Sequence, residues 1–183
     1  METPYFTRRK DVVIEKLADD RYRLLGTLED DLHHVRVTLV ISHPSMTIVE
    51  ASGELVKGTN PPFCTGAAQV LPGLVGERIH RGFLKTAQDK VGTSLGCPHL
   101  MEIVVDMGRA AFQITMLNLR QKAVADPAGA ARILGDPLAK RKFVLANVPQ
   151  LANTCWVFNT DNGRRFEEQI EGGAGASPPA SGT

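Results

Sequence analysis

The chain has 183 residues, a formal net charge of +1, 43% apolar residues and 22% charged residues. That length favours one domain with a sizeable core, and the near-zero charge excludes a general field that would draw in nucleic acid or an anionic membrane. Three cysteines are too few, and odd in number, for a disulfide framework; thiols that are free, metal-bound or catalytic in a reducing cytoplasm are expected instead.

Residues 1–10 read as a loose leader, with no apolar secretory core after Arg8-Arg9-Lys10. The β-branched run from Asp11 to Leu17 predicts a first strand, and Arg21 to Leu28, after the turn at Asp19-Asp20, a second. His33 to Ile41 alternates cleanly, with Val35, Val37, Leu39 and Ile41 on one face. Met46 to Val56 returns as a fourth strand with a bulge expected at Gly53. Tight turns between four strands predict an antiparallel meander.

Past the loop Lys57 to Pro62, the spacing predicts a short helix over Ala67–Val75, shortened by Pro72, and a second helix over Glu77–Val91. Leu100, Ile103, Val104, Met107, Ala111 and Ile114 fall at helical spacing, so a long amphipathic helix is expected from Pro98 to about Arg120. Ala128–Leu134 and Pro137–Lys142 predict short helical turns. Leu151–Thr160 reads as a strand, Asp161-Asn162-Gly163 as a hairpin, and Arg164–Ile170 as its return. Gly172–Thr183 holds only small, polar and proline residues and is expected to be disordered. The whole is an α+β domain over residues 11–171, its antiparallel sheet of four or more strands covered on one face by helices. No run is long enough to span a bilayer.

Chemistry concentrates at Gly96-Cys97-Pro98-His99. A cysteine at the N-cap of a helix feels the dipole and the unpaired N–H groups, which favour its thiolate. Cys64 precedes another expected helix start, and Cys155 lies in or beside a strand. With His99, these three thiols make a Cys/Cys/Cys/His set able to hold zinc or an iron–sulfur cluster. His33, His34 and Asp31 are reserve ligands. No nucleotide-binding, Walker or metalloprotease pattern is present, and no nucleotide cofactor is indicated.

Several blocks resemble the bacterial family known as domain of unknown function 2889. They are Thr7-Arg8-Arg9, Val35 to Leu39, Ile48 to Ala51, Pro62-Phe63-Cys64, Leu74-Val75-Gly76, Gly82-Phe83, Gly96-Cys97-Pro98-His99-Leu100 with Glu102, Ala110 to Gln113, and Asn153-Thr154-Cys155. The resemblance covers most of residues 7–165 and carries no activity with it. It implies that Cys64, Cys97, His99 and Cys155 share one site, although Trp156 stands where the family has a histidine. The order of strands and cysteine-led helices is also similar to NifU-type iron–sulfur scaffold proteins, a likeness of arrangement only.

The leading expectation is a small cytoplasmic metal-binding or iron–sulfur-handling protein using Cys64, Cys97, His99 and Cys155. The alternatives are a cysteine-dependent acyl-transfer or thioester-hydrolysing enzyme, with Cys97 as nucleophile and His99 or His34 as base, and a partner-binding module with buried thiols. Neither nucleic acid nor a membrane is an expected partner; the sequence does not identify a protein partner or an oligomeric state.

Overall fold

The computed structural model describes residues 3–171; the expected disordered tail lies outside them. The chain divides after Met116 into two compact units.

In the first unit, strands β1 (Arg8–Lys16), β2 (Arg21–Asp30), β3 (His34–Ser42) and β4 (Thr47–Lys57) form an antiparallel meander in the order β1-β2-β3-β4. The α+β class and the meander are as the alternating sequence predicts. β1 begins three residues earlier than its β-branched run suggests. Arg8 pairs with Asp30 and Lys10 with Leu28 across the strands, so these cations share the face that carries Leu24 and Leu28. They are neutralised there by acids, Arg8 by Asp30 and Glu102, Lys10 by Glu102 and Asp106. A basic run that looks like a leader is thus the start of the sheet. The register slips in β3–β4 fall beside His34/Val35 and Val40/Ile41, not at Gly53. Gly53 has a packing role instead: a Cβ there would lie 2.5 Å from the Arg36 carbonyl and 2.6 Å from Leu71.

After the single turn α1 (Pro61–Cys64), residues Thr65–Leu74 form a 3-10 helix that includes Pro72, and Leu71 and Leu74 from it are buried. Helix α2 is only Phe83–Lys90, shorter than the helix expected over Glu77–Val91. The residues before it lie extended along β4, where Ile48 N–H donates to the Glu77 carbonyl and Ile79 N–H to the Met46 carbonyl. Backbone bonding to the sheet outweighs the local helical pattern. Helix α3 spans Pro98–Val124. Pro98 occupies the first turn, where its missing N–H costs nothing. Leu100, Ile103 and Met107 are fully buried, and each such side chain contributes about 1.5–3 kcal/mol of transfer free energy. Gly26 on β2 lets α3 approach: a Cβ would sit 2.5 Å from Met107 Sδ.

The second unit carries α4 (Pro127–Leu134), α5 (Pro137–Asn147) and α6 (Thr160–Glu171). The strand expected over Leu151–Thr160 and the hairpin after it are not formed. A 3-10 turn at Pro149–Leu151 leads into irregular turns, and Asp161-Asn162-Gly163 opens α6. The Asn159 side chain accepts from the N–H groups of Asp161 and Asn162 at 3.0 and 2.9 Å, capping that helix as a side-chain acceptor does. Arg164 to Ile170 accordingly lies in α6 and returns no strand.

Candidate functional site

The first unit brings its polar groups together where the β2–β3 turn meets the start of α3. Asp30 closes the turn. Its N–H donates to the His33 carbonyl at 2.8 Å, and its Oδ1 accepts from the N–H groups of Leu32 and His33 at 2.8 and 2.6 Å. An aspartate is favoured here because its short carboxylate reaches N–H groups two and three residues on. Oδ2 accepts from both Arg8 Nε at 2.9 Å and Nη2 at 2.7 Å, two charge-assisted bonds on one oxygen. The Asp30 side chain is completely buried. Burial alone would raise its pKa, but the Leu32 N–H, the Arg8 guanidinium and the His33 backbone and ring together hold the carboxyl well below the usual carboxylate range.

The ionised carboxylate can only accept, so the His33 Nδ1 that lies 3.2 Å from Oδ1 carries the proton. The His33 ring stacks on His99, with centroids 3.8 Å apart. Desolvation, then the neighbouring His33 and Arg8, lower the His99 pKa against the smaller opposing pull of Asp30 and Glu102. These surroundings favour the neutral form of His99. Its Nδ1 lies 3.7 Å from the Cys97 sulfur.

Cys97 is placed by a tight approach. Its N–H donates to the Val91 carbonyl at 3.1 Å, and its own carbonyl accepts from Met101 N–H at 2.9 Å, the first bond of α3. Only glycine fits at the preceding position, because a Cβ on Gly96 would stand 2.0 Å from the Val91 carbonyl oxygen. Cys97 as a whole is buried.

Ligand atoms of Asp30, His33 and His99 lie within 4.8 Å of one another, and among the described residues no group of three such atoms includes a cysteine. Of the four sequence candidates, Cys97 and His99 are neighbours. Cys64, half-buried at the end of α1, does not join them. Cys155 is exposed in the second unit, beside a polar groove of about 420 Å³ lined by Thr154, Trp156, Asp161 and Arg165. Among the reserves, His33 is in the site. His34 is not, since strand alternation turns it away from the face of Val35. The acid is Asp30, not its exposed neighbour Asp31. Its signal was an aspartate two and three residues ahead of the turn's inward N–H groups, obscured by the acids on either side.

No curated protein and no solved structure matches the chain, so the likeness of arrangement to NifU-type scaffolds has no support from known proteins. No helix among the described residues is long and apolar enough to cross a membrane. A family model described as protein of unknown function (DUF2889) matches residues 9–113. The match holds all of the sheet except Arg8, with Asp30, His33, Cys97 and His99, while Cys155 and Trp156 lie beyond it. Spanning more than half of the chain and every residue of the clustered site except Arg8, it establishes that the chain belongs to the DUF2889 family.

Proposed function

We propose that this corner binds a single transition-metal ion of zinc type, through His33 and His99 with Asp30 behind His33, and with Cys97, which touches His99 but joins no group of three ligand atoms, drawn in as the ion binds. The observation that carries the reading is the convergence of the Asp30, His33 and His99 ligand atoms within 4.8 Å, extended by the Cys97 sulfur 3.7 Å from His99 Nδ1. A tetrahedral ion with bonds of about 2.3 Å to sulfur and about 2.0 Å to nitrogen sets those two atoms roughly 3.5 Å apart. A donor set of sulfur and imidazole nitrogen suits a borderline ion, whereas an iron–sulfur cluster draws on more thiolates. The carboxylate–histidine pair is the usual device for orienting a ligating imidazole. Three free thiols fit a reducing cytoplasm.

The test is anaerobic purification followed by metal analysis and reconstitution with Zn²⁺ or Co²⁺. One ion per chain is expected, lost in Cys97→Ser and His99→Ala and retained in Cys64→Ser and Cys155→Ser. A metal-free protein that takes up neither ion would end the reading.

A second reading rests on the same contact. A neutral His99 beside a helix-start thiol is a nucleophile–base pair, which makes Cys97 the attacking group of an acyl-transfer or thioester-hydrolysing enzyme. Rapid alkylation of Cys97 near neutral pH in the metal-free wild type, slowed in His99→Gln, would favour it.

A further inference from the structure

Strand β1 is an edge of the sheet, and among the described residues no strand pairs with its outer side. It is 9 residues long, holds no proline, and keeps an unbroken register with β2. Short length, proline, bulges and unpaired charges are the usual guards on such an edge. On the covered face the charges are already paired: Arg8 is held by Asp30 and Glu102, and Lys10 by Glu102 and Asp106. The phase of the ladder shows which backbone groups point outward. Leu17 N–H donates to the Arg21 carbonyl at 2.8 Å where β1 turns into β2, and bonded pairs alternate along an antiparallel ladder. Odd-numbered residues of β1 therefore bond to β2, while Arg8, Lys10, Val12, Ile14 and Lys16 turn their N–H and C=O groups away from it.

We propose that β1 pairs antiparallel with β1 of a second copy of this chain, about a two-fold axis at Val12, joining two sheets into one. In that register outward residues meet outward residues: Val12 faces Val12, Lys10 faces Ile14, and Arg8 faces Lys16. On the open face the exposed side chains of Arg9 and Glu15 fall directly opposite one another, twice by symmetry. They occupy the closely spaced positions, about 4.5 Å apart at Cα, where unlike charges stabilise an antiparallel pair. Sliding one strand by two residues sets Asp11 against Asp11, or Asp11 against Glu15, so charge selects the register at Val12. The like-charged contact of Arg8 with Lys16 is blunted by the acids that already hold Arg8. Apolar surface favours the same pairing. Helix α3 passes over Gly26, the β2 residue beside Val12, and leaves Val12 and Ile14 only partly buried against the core. The same strip of the second copy would cover them.

Sedimentation equilibrium of the full-length chain at low salt should show a mass that rises with concentration from 19.8 kDa toward twice that value. Arg9→Glu sets acids opposite acids, and Glu15→Arg sets bases opposite bases, so each alone should weaken the dimer about tenfold, the effect of reversing two exposed cross-strand pairs. Mixed together, the two variants oppose unlike charges at both positions and should form a mixed dimer about as tight as the wild type. In hydrogen exchange, the amides of Lys10, Val12 and Ile14 should gain protection with concentration, while those of Asp11 and Val13 stay protected throughout. A chain that remains monomeric at every concentration overturns the proposal. A dimer that both variants leave intact, or whose Val12 amide exchanges freely, uses another surface and overturns it equally. Variants that associate no better mixed than alone refute the register.

Discussion

Replacing Asp30 by asparagine tests the anchor of the site with almost no change in volume. The amide oxygen can still accept from the Leu32 and His33 N–H groups, but the amide nitrogen is a donor turned toward Arg8, which also donates. Breaking one side of a buried ion pair typically costs about 3–5 kcal/mol. Arg8 keeps Glu102 and is 30% accessible, so the lower end, about 3 kcal/mol, is expected. That is a large share of a typical stability of about 5–15 kcal/mol. Urea denaturation at pH 7 reads it as a fall in midpoint at constant slope. The pH dependence adds a second requirement. Asp30 has its folded pKa depressed, so its contribution is complete above the unfolded value of about 4 and is lost as pH falls through the lower folded value. The gap between wild type and variant should therefore be flat from neutrality to about pH 5 and narrow in stronger acid. A loss under about 1 kcal/mol, or a gap unchanged throughout the acid range, would refute the anchoring role.

Gly26→Ala tests the sheet–helix approach. The new Cβ would meet Met107 Sδ at 2.5 Å and Ile103 Cγ1 at 2.8 Å. Overpacking of this kind costs about 1–3 kcal/mol; Met107→Ala in the same background should recover part of it, and additive losses in the double-mutant cycle would contradict the contact. His99 gives a different signature in the metal-free protein. Its folded pKa is lowered by burial, so below the unfolded value of about 6.5 the unfolded chain binds more protons and stability drops as the pH drops. The slope of stability against pH just below 6.5 should shrink in His99→Gln, and an identical slope would show that His99 does not titrate as its surroundings require.

The sheet was legible because each strand states its own period. Val35, Val37, Leu39 and Ile41 alternate, and their neighbours in the meander are set by short turns. The same holds for α3, whose apolar positions and leading proline mark both its face and its start. Where backbone or side-chain partners outside the window decide the conformation, the sequence pattern misleads. The residues before α2 look helical but bond to β4, and Asp161-Asn162-Gly163 looks like a hairpin but is capped into α6 by Asn159. The site divides in the same way. Cys97 and His99 are two residues apart at a helix start, so their meeting could be read directly. Asp30 and His33 stand far from them in sequence and reach them through the register of β1 and β2, in which Arg8 falls opposite Asp30. Grouping by residue type favoured the three thiols, because sulfur is rare and chemically distinctive. Assembly follows topology, and the end of a sheet that meets a helix start supplies whatever side chains its turns carry. In this chain the turn supplies a carboxylate already committed to holding its own loop, with the His33 imidazole held against it.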